Sequence, residues 1–304
     1  MNLGRLREGP RLVWNTLDRF FTDGCPSMAA ALSFYTFFSL PALLSLLLLL
    51  LGGVTDPVDV ERGITNQAAS LIGSAGAEQV RVILVHSRQI SARSVAAIAS
   101  VAAVIFGATT AFAQLQDALN RVWSVKPDPS RGQIMGFLVK RVFSFGVVLA
   151  VAFLLLASLA LSAMLVAFGD VATARLGMPE ALLEVTNSLI SFVVITALFA
   201  VMFRLLPDAK IAWFDVWPGA VGTSLLFVLG KGVIGYYLGR SDPGNAYGAA
   251  GSLAVVLIWV YYLSMIVLFG AEFTRAWSER FGRGVKPEPG AVEVVEEEHP
   301  VQRG

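Results

Sequence analysis

Apolar residues along this chain gather in six long runs parted by short polar stretches, and within each run they are continuous rather than alternating. A helix needs about 20 apolar residues to cross a hydrocarbon layer of about 30 Å. In that layer every backbone N–H and C=O must be bonded inside the protein, which leaves helices or a closed barrel. Barrel strands are runs of about ten residues that alternate apolar and polar, so unbroken runs favour helices. The pattern predicts spans at 29–53, 94–113, 138–168, 182–204, 216–239 and 249–274. The expected fold class is all-α: a polytopic bundle of six transmembrane helices, with amphipathic helices in the N-terminal segment and the first outer loop. The first run starts too late and lasts too long for a signal-peptide core of about 7–15 residues, so it reads as a retained span.

The ends of the runs carry physical markers. Asp215 is the expected N-cap of the fifth span, with Pro218 in its first turn, where a missing N–H costs nothing. Trp213, Trp217 and Trp277 stand where aromatic rings favour the headgroup layer. Pro41 should kink the first span. Residues 1–28 are expected to be a cytoplasmic segment holding an interfacial helix at 11–22, with Val13, Trp14, Leu17, Phe20 and Phe21 on the face turned to lipid. In the outer loop, 54–93, Ile64, Ala68, Leu71 and Ile72, then Val80, Ile83 and Leu84, recur at helical spacing. This predicts two short helices divided at Gly73-Ser74-Ala75-Gly76. The spans make up a domain at 29–274. Residues 275–304, with Pro287, Pro289 and Glu296-Glu297-Glu298, read as a disordered acidic cytoplasmic tail.

Composition sharpens this picture. Of 304 residues 56% are hydrophobic and only 15% charged, and mean hydropathy is +0.68; a soluble domain has about a quarter of its residues charged. The net charge of +1 gives no field that would draw nucleic acid. With six spans both ends share a side. Counted near the span ends, 15 Lys and Arg fall on that side and 6 on the other, which places both termini in the cytoplasm. Cys25 is the one cysteine, so no internal disulfide framework exists; it reads as an ordinary thiol at the membrane edge.

Candidate chemistry is sparse. His86 and His299 are the two histidines, and no Cys/His group has metal-ligand spacing. No nucleophile elbow, zinc-protease or dinucleotide signature occurs. Catalytic residues, cofactor and metal are therefore not expected, and neither is an enzyme. Lys231 is the most unusual charge. It lies about four residues, or about 6 Å, outward of the middle of the fifth span. A lysine within a span costs about 2.5–3.5 kcal/mol on insertion scales, so it either snorkels to the outer headgroups or serves a substrate or counter-ion. By depth alone Asn187, Asn245 and Tyr247 can join it in an outer polar cluster. Near the inner face, Glu272 is expected to pair with Arg275 one turn on, with Asp215 and Arg204 in the same network. Gln114 to Trp123, including Asn120 and Arg121, forms a polar extension of the second span. It serves either to dock against neighbouring helices or as a gate or partner site. Gly219, Gly222, Gly230, Gly232, Gly235 and Gly239 make the fifth span glycine-rich, which lets helices approach closely.

Several of these residues form a recognisable set. Ala29-Ala30-Ala31-Leu32-Ser33-Phe34-Tyr35 through Pro41, Leu119-Asn120-Arg121-Val122-Trp123, Leu206-Pro207-Asp208, Pro218-Gly219-Ala220, Tyr247-Gly248-Ala249, Trp259-Val260-Tyr261 and Gly270-Ala271-Glu272 resemble the YihY/BrkB family of bacterial inner-membrane proteins. The resemblance covers about residues 10–280. It implies six spans with cytoplasmic termini and an inner-membrane location, and it offers no agreed catalytic residues. Members have carried a ribonuclease BN label, which finds no metal cluster, general-base pair or basic aromatic-lined groove here, and a serum-resistance or virulence label. The expected partners are membrane lipids and not nucleic acid, with a second copy or an envelope protein left open and the substrate unknown. The expected activity is movement of a small molecule or lipid; the rival is a non-transporting assembly or virulence-associated factor.

Overall fold

The computed structural model describes residues 3–51, 56–87, 95–128, 146, 180–240 and 249–295. Apart from residue 146, the expected third span at 138–168 lies outside them. The chain is mostly helical. Among the described residues the helices are α1 Leu3–Thr22, α2 Cys25–Leu51, α3 Pro57–Ser87, α4 Val95–Val122, α5 Glu180–Leu205, α6 Trp213–Arg240 and α7 Ala249–Phe281. Four short strands accompany them among the described residues: β1 Val125–Pro127, β2 Ala209–Lys210, β3 Lys286–Pro287 and β4 Ala291–Glu293. Among the described residues four stretches are long and apolar enough to cross a membrane: Cys25–Leu44 in α2, Ser188–Leu205 in α5, Trp213–Val233 in α6 and Val256–Phe281 in α7.

These helices turn apolar side chains outward. On α5, Val185, Leu189 and Val193 form an exposed stripe at four-residue spacing, and on α6 Val221, Leu225, Leu229 and Val233 do the same. A water-soluble surface does not carry stripes of this kind, whereas a lipid-facing one requires them. Several buried hydroxyls within the helices are satisfied locally. Thr196, Thr223, Ser224 and Thr274 each donate to the carbonyl four residues back, at 2.7–2.8 Å. Ser33 Oγ of α2 instead crosses to Leu257 O of α7 at 2.8 Å.

The main apolar core lies where one end of each of α2, α4, α5, α6 and α7 converges with α1. Phe20, Leu32, Leu119, Trp123, Phe203 and Leu268 are buried there. Helices α6 and α7 come together through glycine. A Cβ on Gly219 would overlap Thr274, and one on Gly270 would overlap Thr223, so each helix supplies a hydroxyl knob for the other's glycine hole. Gly230 likewise sits under the Tyr262 ring, whose hydroxyl donates to Leu226 O at 2.7 Å. Gly222 and Gly232 face open space, and the side-chain surroundings of 235 and 239 are outside the description.

Four expectations change. Helix α3 is one element and is not divided at Gly73–Gly76; a helical glycine costs only about 1 kcal/mol relative to alanine. Asp56 caps α3 through Val58 N at 2.8 Å, with Pro57 at its first position. On α1, Leu12, Thr16 and Phe20 turn into the protein, while Val13, Trp14, Leu17 and Phe21 stay exposed. The outward apolar face is thus narrower than expected, because Phe20 packs edge-to-face on Phe269 of α7 at 5.9 Å. Asp215 does not cap α6, which begins two residues earlier at Trp213. The fourth change is at the C-terminal end. Where a disordered tail was expected from residue 275, α7 continues to Phe281, and β4 then pairs antiparallel with β1 and β3 with β2. Residues 296–304 lie outside the description.

Candidate functional site

The converging helix ends carry a polar layer, and its most unusual member is Glu272. This residue is fully buried, at 0% exposure, on α7. Gly24 places its neighbours. With φ at +71°, a left-handed conformation that glycine adopts without steric cost, it turns the chain between α1 and α2. Asp23 and Cys25 then flank the turn and face α7. The Cys25 thiol, itself fully buried, donates to Glu272 Oε1 at 3.8 Å. The Asp23 carboxyl, on the same turn, stands 3.7 Å from the Arg275 guanidinium, one helical turn on from Glu272, and its charge acts on Glu272. Glu272 Oε2 has no hydrogen-bond partner.

The expected Glu272–Arg275 pair does not form. Arg275 instead donates to Val122 O at the end of α4 at 2.6 Å and to Glu279 one turn on at 3.0 Å, and it stands 3.7 Å from Asp23. Glu279 also accepts from Arg19 of α1 at 2.7 Å. Arg275 therefore ties α1, α4 and α7 together, and its charge is spent on Asp23 and Glu279. Arg19 and Glu279 are both more than a third exposed, so their pair adds no more than about 1 kcal/mol. Its consequence is geometric: the Arg19 guanidinium pairs with Glu279 and not with Glu272.

Two further clamps complete the layer. Asn120 Nδ2 donates to Asp208 Oδ2 at 2.7 Å, and Asp208 N returns a bond to Asn120 Oδ1 at 2.7 Å. Gln116, one turn earlier on α4, adds a bond to Asp208 Oδ1 at 3.2 Å. The polar extension of α4 thus docks on the α5–α6 connection, with Asn120 buried and Arg121 exposed. Asp215, also buried, accepts from Ser278 Oγ at 2.9 Å and from Arg283 N at 3.1 Å. It fastens the end of α7 rather than joining Glu272.

From Gly284 to Val295 the chain forms a strap across these ends. Beyond the two strand pairs, Glu288 N donates to Asp208 O at 3.0 Å, Asp128 N to Gly290 O at 2.9 Å and Val294 N to Ser124 O at 2.7 Å. Under the strap is a cleft of about 280 Å³ lined by Trp123, Arg275, Glu279, Val285 and Glu293 among others. Among the described residues no three His, Cys, Asp or Glu side chains are grouped to hold a metal ion.

The outer candidates do not come together within the description. Lys231 is exposed on α6. Asn187 lies on α5 with its side chain outside the description, and Asn245 and Tyr247 are outside it altogether. Residue-by-residue reading flagged Glu272 but missed Asp23, Cys25, Asp208 and Glu279. Only Asp208 had a signal, as part of Leu206-Pro207-Asp208.

Apolar helices with outward-facing hydrophobic stripes, closed at one end by a buried polar layer, define a helical membrane protein. The profile described as Virulence factor BrkB matches residues 16–293, a stretch that ends on the last residue of β4. The chain belongs to this family, YihY/BrkB, whose relatives carry the name UPF0761 membrane protein. It is 28% identical over 266 residues to the one from Alkalilimnicola ehrlichii, covering 85% of this chain and 56% of that protein. It is 29% identical over 274 residues to the one from Pseudomonas aeruginosa, covering 86% and 63%. The one from Rhodospirillum centenum is 27% identical over 286 residues, covering 91% and 59%. The chain thus spans less than two thirds of these relatives' length. No solved structure matches it.

Proposed function

We propose that this chain is a six-span protein of a bacterial inner membrane, with both ends cytoplasmic, that moves a small molecule or lipid across or within the bilayer. In this reading α4 and the run at 138–168 complete the spans, α3 covers the outer ends, and the strap lies on the cytoplasmic side. The observation that carries the transport reading is Glu272. An ionisable group fully buried in an apolar helix is costly, and its partners are a weak thiol donor and another acid, so packing alone does not account for it. The cleft under the strap supports the same reading as an opening on that side. No catalytic role is assigned.

The test is reconstitution of the purified protein in phospholipid vesicles, followed by a screen of solute flux and lipid scrambling. Transport that Glu272→Gln diminishes is the expected result. No flux for any solute or lipid, together with a stable co-purifying envelope protein, would favour the rival assembly role. An RNA-cleavage assay with metal removed and restored is expected to be blank.

A further inference from the structure

We infer that Glu272 is a proton-exchange site, loaded and unloaded through Asp23 at the α1–α2 turn. The inference deepens the transport reading, on which its coupling role rests, by naming the ion.

The geometry narrows the ligand. Glu272 is fully buried with Oε2 unpartnered. The charged and titratable groups around it come from every element packed there. From α1 there is Arg19, bound to Glu279. From the turn there is Asp23, and from α2 the Cys25 thiol. From α7 itself there is Arg275, committed to Val122 O, Glu279 and Asp23. From α4 Arg121 acts on Cys25 from the exposed side. Among the described residues no Lys or Arg forms an ion pair with Glu272; Arg275 and Arg19 act on it only from a distance, each being bound to other acids. Two carboxyl groups that face one another can share a hydrogen bond only if one of them carries a proton. A metal cation would require several further oxygens; the Asp208, Asp215 and Glu279 carboxylates are committed to other partners, and what the described residues leave at Glu272 is Asp23 and a sulfur, a poor ligand for such ions. A proton needs one acceptor oxygen, and Glu272 Oε2 is one.

The route follows from exposure. The Asp23 side chain is 28% exposed, so it meets both water and Glu272. Release leaves the Glu272 carboxylate and passes the proton to the Asp23 carboxylate, which gives it to solvent; uptake is the reverse. Cys25 keeps its S–H throughout and donates it to Glu272 Oε1.

Infrared difference spectra of the protein in phospholipid vesicles, taken between acidic and alkaline buffer, test this directly. The expected result is a protonated-carboxyl stretch that converts to a carboxylate signal in the natural protein and is lost in Glu272→Gln, which keeps the side chain's size. The exposed variant Glu288→Gln should retain it. Asp23→Asn, which leaves Glu272 in place, should shift the pH at which the signal converts. Persistence of the signal in Glu272→Gln, its absence from the natural protein, or no shift in Asp23→Asn would each overturn the inference. Vesicles that move no solute would end the transport reading without touching this spectral result.

Discussion

Asn120 and Asp208 hold each other by two bonds of 2.7 Å, one between side chains and one from the Asp208 backbone N–H. The pair fixes the end of α4 to the α5–α6 connection, and the Asp208 carbonyl then receives the strap through Glu288 N. Removing one partner from such a pair costs about 1–3 kcal/mol, because the other is left without its bond. Asn120→Ala should therefore lower the thermal midpoint in detergent. Asn120→Asp should lower it further, since it sets a carboxylate against a carboxylate. Arg121→Ala, at the exposed neighbour, should leave the midpoint unchanged. Equal midpoints for Asn120→Ala and Arg121→Ala would show that the clamp contributes nothing.

Gly219 and Gly270 are each filled by a threonine of the facing helix. Enlarging either glycine must push α6 and α7 apart, and overpacking of this kind costs about 1–3 kcal/mol. Gly219→Val should destabilise the protein, whereas Gly222→Ala, where a methyl meets open space, should be neutral or slightly stabilising in a helix. Denaturation curves of the two variants decide this, and a Gly219→Val curve that overlays the natural one would contradict the packing described.

Lys126 and Val292 are direct antiparallel partners across β1 and β4. Facing residues of such a pair lie about 4.5–5.5 Å apart at Cα, within disulfide reach. The double variant Lys126→Cys with Val292→Cys should cross-link on mild oxidation. Asp59→Cys with Val292→Cys, with one cysteine on α3 and the other on the strap, should not. Gel mobility with and without reductant reads the outcome, and buried Cys25 should stay unreactive.

The proposed topology places α3 and the strap on opposite sides of the membrane. Single cysteines at the exposed positions Asp59 and Glu288 should then react with an impermeant reagent from outside and inside, respectively. Labelling of both from one side would overturn the topology.

The residues explain how far the sequence could be read. Long apolar runs announced the helices because a span needs so many consecutive apolar residues that chance rarely supplies them. Glu272 stood out because acids are rare in such runs. Its partners did not stand out, since Cys25 lies 247 positions away and nothing local marks a thiol or a turn aspartate as facing it. The Glu272–Arg275 pair was expected from helical spacing. Spacing permits a contact without deciding which of several acids a guanidinium takes, and Asp23 and Glu279 took this one.

The strap was missed for a different reason. Strands of two or three residues carry no period, and a segment rich in proline and acid reads as unstructured when its partners are unknown. Its order comes from backbone hydrogen bonds to β1 and β2, donors and acceptors that every sequence possesses.

The sequence by itself determined that this protein lives in a membrane and where four of its apolar helices run, because burial in lipid is dictated by each segment's own side chains. Only the tertiary structure decided that one acid is sealed beside a thiol and a second acid, and that residues 284–295 close over the converging helix ends. Those relationships depend on which distant surfaces meet, and that is a property of packing that no single segment carries.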